Sequence, residues 1–148
     1  MISWTFKAFD ELTPHELYAI LRLRSEIFVV EQNCVFLDAD DKDQSCTHIM
    51  GWEAGRLLAY ARIVPAGISY GDFSIGRIVS SPKARGKGIG RELVQQSINK
   101  GYSLYGKNPI RIGAQYYLKR FYESFGFRQT GEIYVEDGIE HIEMLLSV

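Results

Sequence analysis

Six consecutive residues, Arg85-Gly86-Lys87-Gly88-Ile89-Gly90, constrain this chain more than any other stretch. They follow a strand-like run, 74–79, and open a helix with apolar positions Ile89, Leu93, Val94, Ile98 and Tyr102. Glycines at alternate positions admit positive φ and remove the Cβ atoms that would hold a ligand away. A helix start leaves several backbone N–H groups without intrahelical partners. Those groups and the helix dipole favour an anion by roughly 0.3–1 kcal/mol per contact. Arg85, Lys87 and Arg91 add formal positive charge. The arrangement is a phosphate cradle. Its spacing matches neither Gly-x4-Gly-Lys-Ser/Thr nor Gly-x-Gly-x-x-Gly, so both common nucleotide fingerprints fail. The turn also lies too far along the chain for a dinucleotide fold.

The flanking pattern predicts the elements around this loop. Residues 2–8 alternate with period two, as a strand does. Thr13-Pro14-His15-Glu16 is a helix start with a capping box and Pro at the first position. Leu17, Ile20, Leu21, Arg24, Ile27 and Phe28 continue that helix, which weakens at β-branched Val29-Val30. Residues 33–46 read as a long, Asp-rich loop. Strands at 48–53 and 57–63 flank a turn at 54–56, and residues 67–71 form another loop. A short strand at 110–114 precedes a helix face of Leu118, Phe121, Tyr122 and Phe125, which stops at Gly126. Asp137-Gly138 is a hairpin turn between strands at 130–136 and 139–146. Strand, glycine turn, helix, strand is a crossover, so 74–79 and 110–114 should be parallel neighbours. The expected architecture is an α/β (α+β) mixed sheet with helices on its faces, one domain over 1–148.

Composition removes several classes of function. Lys+Arg is 17 against Asp+Glu 18, a net charge of −1, so a nucleic-acid partner is not expected. No run approaches the ~20 apolar residues that span a bilayer, so no membrane partner is expected either. The N-terminal residues show no secretory pattern. The two cysteines, Cys34 and Cys46, form neither a zinc framework nor a disulfide scaffold, which suits free thiols in a reducing cytoplasm. The aspartates at 38, 40, 41 and 43 lack the Gly and Glu of a calcium loop, so no metal is expected. They either attract a cationic acceptor or, as the more ordinary case, are solvated. Arg77 is a charge in mid-strand that needs a partner: a loop aspartate, Glu53, or an acidic acceptor.

Val79-x5-Arg85-Gly86-x-Gly88-x-Gly90 resembles the (Gln/Arg)-x-x-Gly-x-(Gly/Ala) acyl-CoA motif of the GNAT acyltransferase superfamily. Phe121-Tyr122-Glu123-Ser124-Phe125-Gly126-Phe127 resembles the second signature of that family. Leu23-Arg24-x3-Phe28-Val29-Val30-Glu31-Gln32, Gly113-Ala114-Gln115 and Glu136-Asp137-Gly138-Ile139-x-His141 resemble its ElaA-type branch. The resemblance implies the GNAT acyl-CoA N-acyltransferase fold. It implies acetyl-CoA as co-substrate, an amine of a small molecule or peptide as acceptor, and direct transfer. Pyrophosphate would sit on the amides of Arg85, Gly86, Lys87, Gly88, Ile89 and Gly90, and pantetheine along the strand edge at Ile78 and Val79. Gln115 stands where the family often has a CoA-contacting Asn. Tyr122 matches the family's thiol-protonating Tyr. The candidates for a base are Glu31, His48 and His141, beside an ordered water. Such chains are often homodimers. A non-catalytic acyl-CoA sensor on the same fold is the alternative.

Overall fold

The computed structural model describes all 148 residues. The chain runs β1 (Ser3–Ala8), α1 (Pro14–Arg24), β2 (Thr47–Glu53), β3 (Arg56–Val64), β4 (Ser74–Ser80), α2 (Ile89–Tyr105), β5 (Ile110–Gln115), α3 (Lys119–Glu123), β6 (Arg128–Gln129), β7 (Tyr134–Glu136) and β8 (Ile139–Leu146). The capping box is present at α1: Thr13 Oγ1 accepts from the Glu16 amide at 3.1 Å, and Glu16 Oε1 accepts from the Thr13 amide at 2.8 Å. Past Arg24 the helix widens into π turns over Ser25–Glu31, where the β-branched Val29 and Val30 sit.

Two antiparallel sheets result, β1-β2-β3-β4 and β5-β8-β6, with β7 pairing β8. The expected parallel pairing of β4 with β5 is a correction. Only Phe73 and Ile110 form a parallel bridge, and beyond it the strands diverge. The cause is a bulge in β4. Tyr60 faces Val79 and Arg62 faces Gly76, so two steps on β3 oppose three on β4. Arg77 lies in that interval at φ +48°. The bulge puts Ile75 and Ile78, three residues apart, against the same cluster. Val79 turns to the other cluster, with Ile20, Leu23, Ile27, Met50 and Tyr60. The edge of β4 is thereby freed. The last strands also depart from expectation. Residues 131–133 leave the ladder; Arg128–Gln129 pairs with β8, with the Thr130 amide still donating to Glu143 O at 3.0 Å, and Tyr134–Glu136 pairs with it further on.

The larger core lies between the sheets and α2, with Ile49, Ile63, Leu93, Ile110, Ile112, Ile142 and Met144 almost fully buried. No helix is long and apolar enough to cross a membrane.

Candidate active site

The divergence of β4 and β5 opens a cleft of about 480 Å³. Ile78, Val79, Arg85, Gly90, Gln115, Tyr122, Glu31 and His141 all line it. Four separate parts of the sequence therefore converge on one space.

The glycine-rich loop forms one end. Gly86 and Gly88 take φ of +81° and +73°, which L side chains adopt only with strain. No backbone amide from Gly86 to Arg91 donates to a backbone carbonyl, and no side chain caps α2. The first helical bond is Glu92 N to Gly88 O, 3.1 Å. The Arg85 amide differs from the expectation: it already donates to Pro82 O at 3.4 Å, closing a short 3₁₀ turn. A Cβ at Gly86, Gly88 or Gly90 would meet nothing of the protein within 4 Å. At Gly90 the absent side chain thus keeps space open rather than permitting internal packing. Oriented donors facing a cleared space fit a pyrophosphate.

Tyr122 stands on α3, only 5% exposed yet lining the cleft. Burial is the main reason its phenol is pushed above its ordinary value. The rings of Phe121 and Phe127 pack edge-on against it. Gln115 ends β5, pairs in register with His141, and donates from Nε2 to Gln32 Oε1 at 3.3 Å.

The three base candidates separate cleanly. His48 is fully buried and does not line the cleft. Its Nε2 lies 2.9 Å from Asp43 O and its Nδ1 2.6 Å from the Tyr60 hydroxyl. A carbonyl only accepts, so Nε2 carries the proton and Nδ1 accepts from Tyr60. Burial holds the imidazole below its usual pKa. Both nitrogens are committed, so the site reading of His48 is corrected to a structural one. Glu31 reaches the cleft, but Arg85 Nη1 and Nη2 hold both its oxygens, the former at 3.0 Å. His141 donates from Nδ1 to Ile139 O at 2.8 Å. That contact leaves the Nε2 lone pair free on the neutral ring, 3.8 Å from a Glu136 oxygen.

Three of the four loop aspartates, Asp38, Asp40 and Asp43, are neither freely solvated nor unpaired, because arginines hold them; only Asp41 is exposed. Asp38 and Asp43 are buried. Arg24 donates to Asp38 and Asp43 at 2.8 Å each. Arg62 donates to Asp43 and to Asp40 at 2.8 Å. Arg77 donates to Asp38 at 2.9 Å and to Asp40 at 3.4 Å. The mid-strand cation therefore takes two loop aspartates, and this clamp holds the β4 bulge. Burial by itself would raise the Asp40 and Asp43 carboxyls. The hydrogen bonds and charges of Arg62 with Arg77 outweigh it at Asp40 and hold that carboxyl well below the usual range, and those of Arg24 with Arg62 lower the Asp43 carboxyl. No cluster of metal-ligating side chains is present.

The cysteines are unpaired. Cys34 lines the cleft and its thiol lies 3.3 Å from Asp137 O. Cys46 is buried, which pushes its thiol up to about 11. Sequence reasoning missed Tyr70, Tyr134 and Lys42. They line a second cleft that adjoins the first, and only long-range packing brings them there.

A family model described as an acetyltransferase (GNAT) domain matches residues 31–148. Protein ElaA of Escherichia coli K12 is 40% identical over 150 residues, covering 100% of this chain and 98% of ElaA. The ElaA crystal structure superposes with a TM-score of 0.92 at 39% identity, covering 98% of this chain and 99% of that one. The crystal structure of an acyl-CoA N-acyltransferase from Pseudomonas aeruginosa superposes with a TM-score of 0.95 at 40% identity, covering 99% and 100%.

Proposed function

Because the chain belongs to the GNAT acetyltransferase family, we propose that it is an acetyl-CoA-dependent N-acetyltransferase that moves an acetyl group directly to an amine. One observation carries this reading: the run of uncommitted amides from Gly86 to Arg91 includes Gly90, which lines the same cleft as Arg85, Tyr122 and His141. The activated acyl thioester is what the carrier brings; every other task falls to the protein.

In this reading Gly86, Lys87, Gly88, Ile89 and Gly90 hold the pyrophosphate through their amides, with the Arg85 side chain beside them. The freed edge of β4 at Ile78 and Val79 pairs with the amide-bearing arm as a strand would, and Gln115 faces it from β5. An ammonium of pKa ~10.4 must lose a proton before it attacks, which costs about 4.6 kcal/mol at pH 7. His141 Nε2 takes that proton. The amine nitrogen then bonds to the carbonyl carbon, the C–S bond breaks with its electron pair leaving on sulfur, and the second N–H proton passes from the new amide nitrogen to that sulfur, so the products are the amide and the CoA thiol. A backbone N–H near Val79 stabilises the developing oxyanion. The Tyr122 hydroxyl donates to the departing thiolate. Burial has raised this phenol, so full proton transfer is costly and Tyr122 acts mainly as a hydrogen-bond donor. The two free thiols suit a reducing cytoplasm.

The test is release of free CoA thiol from acetyl-CoA across a broad amine panel. Turnover that falls in both Tyr122→Phe and His141→Asn, with acetyl-CoA binding retained, is the expected result. Tight acetyl-CoA binding with no turnover on any amine would replace the enzyme by a sensor.

A further inference from the structure

The first cleft adjoins a second of about 530 Å³, and seven residues line both, among them Phe36, Gly76, Arg77, Glu136 and Asp137. No residue of the glycine-rich loop lines this second space. Its charged groups are of two kinds. Asp40, Arg62 and Arg77 belong to the closed cluster with Arg24, Asp38 and Asp43, in which three guanidiniums cancel three carboxylates. Removing that neutral set leaves Lys42, Glu136 and Asp137. Lys42 Nζ donates to Ser69 Oγ at 3.2 Å, and Lys42 is in none of the ion pairs. It is the one cation lining this space without a carboxylate. Glu136 has only the 3.8 Å approach to His141, and Asp137 sits in the turn beside it. The residual field is a dipole: positive at Lys42 and Ser69, negative at Glu136 and Asp137.

We propose that this second cleft is the acceptor subsite and that the acceptor is an amine carrying a carboxylate. The inference rests on the acyl-transfer reading and gives it a substrate class. The ammonium lies toward Glu136 and Asp137, beside the free Nε2 of His141. The carboxylate accepts from Lys42 Nζ and Ser69 Oγ. A phosphomonoester carries about −1.5 to −2 charge on three oxygens. One ammonium and one hydroxyl match the single charge of a carboxylate better. Tyr134 stacks on His141 at 5.7 Å and its hydroxyl meets that of Tyr70 over Gly113, where a Cβ would lie 2.9 Å and 2.8 Å from them. This tyrosine pair fixes the plane of the imidazole, and with it the direction of the Nε2 lone pair that the amine meets.

The experiment is calorimetric binding to the full chain, with CoA present, of α-amino acids and a ladder of ω-amino carboxylates. Each is compared with its neutral amide. The best carboxylate is expected to bind about tenfold or more tightly than its amide, a difference of about 1.4 kcal/mol. Lys42→Met is expected to bring it down to the level of the amide, and Lys42→Arg to retain most of the preference, with melting temperatures confirming that both variants fold. Equal binding of acid and amide, no binding of either, a preference that survives Lys42→Met, or tighter binding of an amino phosphomonoester would each overturn the proposal. CoA release is measured separately. A carboxylate preference without any release would sink the catalytic reading and leave the subsite standing.

Discussion

The glycine-rich loop and the arginine–aspartate cluster flank the same cleft and treat their polar groups in opposite ways. In the loop, consecutive amides from Gly86 to Arg91 have no backbone acceptor, and the glycines keep the space before them clear. In the cluster, nearly every donor is matched, and Arg62 Nε is the one buried exception. Uncommitted polarity at a surface is capacity for a ligand; matched polarity in the interior is scaffold. The cluster holds residues 38–43 against the bulge of β4, and the bulge frees the strand edge beside the loop. One region is closed so that the other stays open.

The largest effect should come from breaking the closed region. Asp43 Oδ1 accepts from Arg24 and Arg62 together, so Asp43→Ala leaves two buried guanidiniums short of a partner. A loss of about 3–5 kcal/mol in denaturant unfolding is expected. The pH dependence has a definite sign. The Asp40 and Asp43 carboxyls are held below their unfolded values. Their contribution is complete above about pH 4 and lost as pH falls through the folded values. Asp43→Ala should flatten that acid limb. An unchanged limb would mean that these pairs do not carry the acid sensitivity.

Breaking the open region should do the reverse. Gly90→Val places a branched side chain where the protein has nothing within 4 Å. Acyl-CoA affinity is expected to fall at least tenfold, about 1.4 kcal/mol or more. Stability should hold, because glycine is already a poor helix residue. A large fall in melting temperature would show the position to be structural. Tyr122→Phe is expected to lower kcat about tenfold and leave acyl-CoA affinity alone, since only the hydroxyl is removed. An unchanged kcat on a turned-over amine would take Tyr122 out of the mechanism.

What was legible in the sequence follows from how far apart partners lie along the chain. The loop, the Thr13–Glu16 capping box and the Asp137-Gly138 turn are complete within a few residues, and local physics suffices to read them. The Asp-rich loop reads as solvated because two of its partners, Arg24 and Arg62, lie 14 to 22 residues away with nothing local to mark them, whereas Arg77, a charge in mid-strand, pointed to a loop aspartate already. His48 and His141 look alike as single letters. Their difference comes from which carbonyl and which hydroxyl the folded chain brings to each ring. The divergence of β4 and β5 was invisible for a related reason. A crossover rule favours pairing, and only the bulge, held by tertiary ion pairs, prevents it.

The smallest effect sharpens the comparison most, because it uses the same chemistry in the open region. Glu31 and Arg85 are a carboxylate and a guanidinium, as Asp43 and Arg62 are. Their side chains, however, are 40% and 48% exposed, against 10% and 4% for the buried pair. In water the pair gains little, because solvent screens the attraction and both long side chains lose freedom. Glu31→Gln should therefore change unfolding stability by less than about 0.5 kcal/mol. It should also release the Arg85 guanidinium toward the pyrophosphate, so acyl-CoA affinity holds or rises slightly. If Glu31 were the base, the same substitution would lower kcat and remove the alkaline-rising limb of its pH profile, with affinity unmoved. The two outcomes differ in which constant changes, so one titration and one pH profile decide whether this contact is a gate over the carrier site or part of the chemistry.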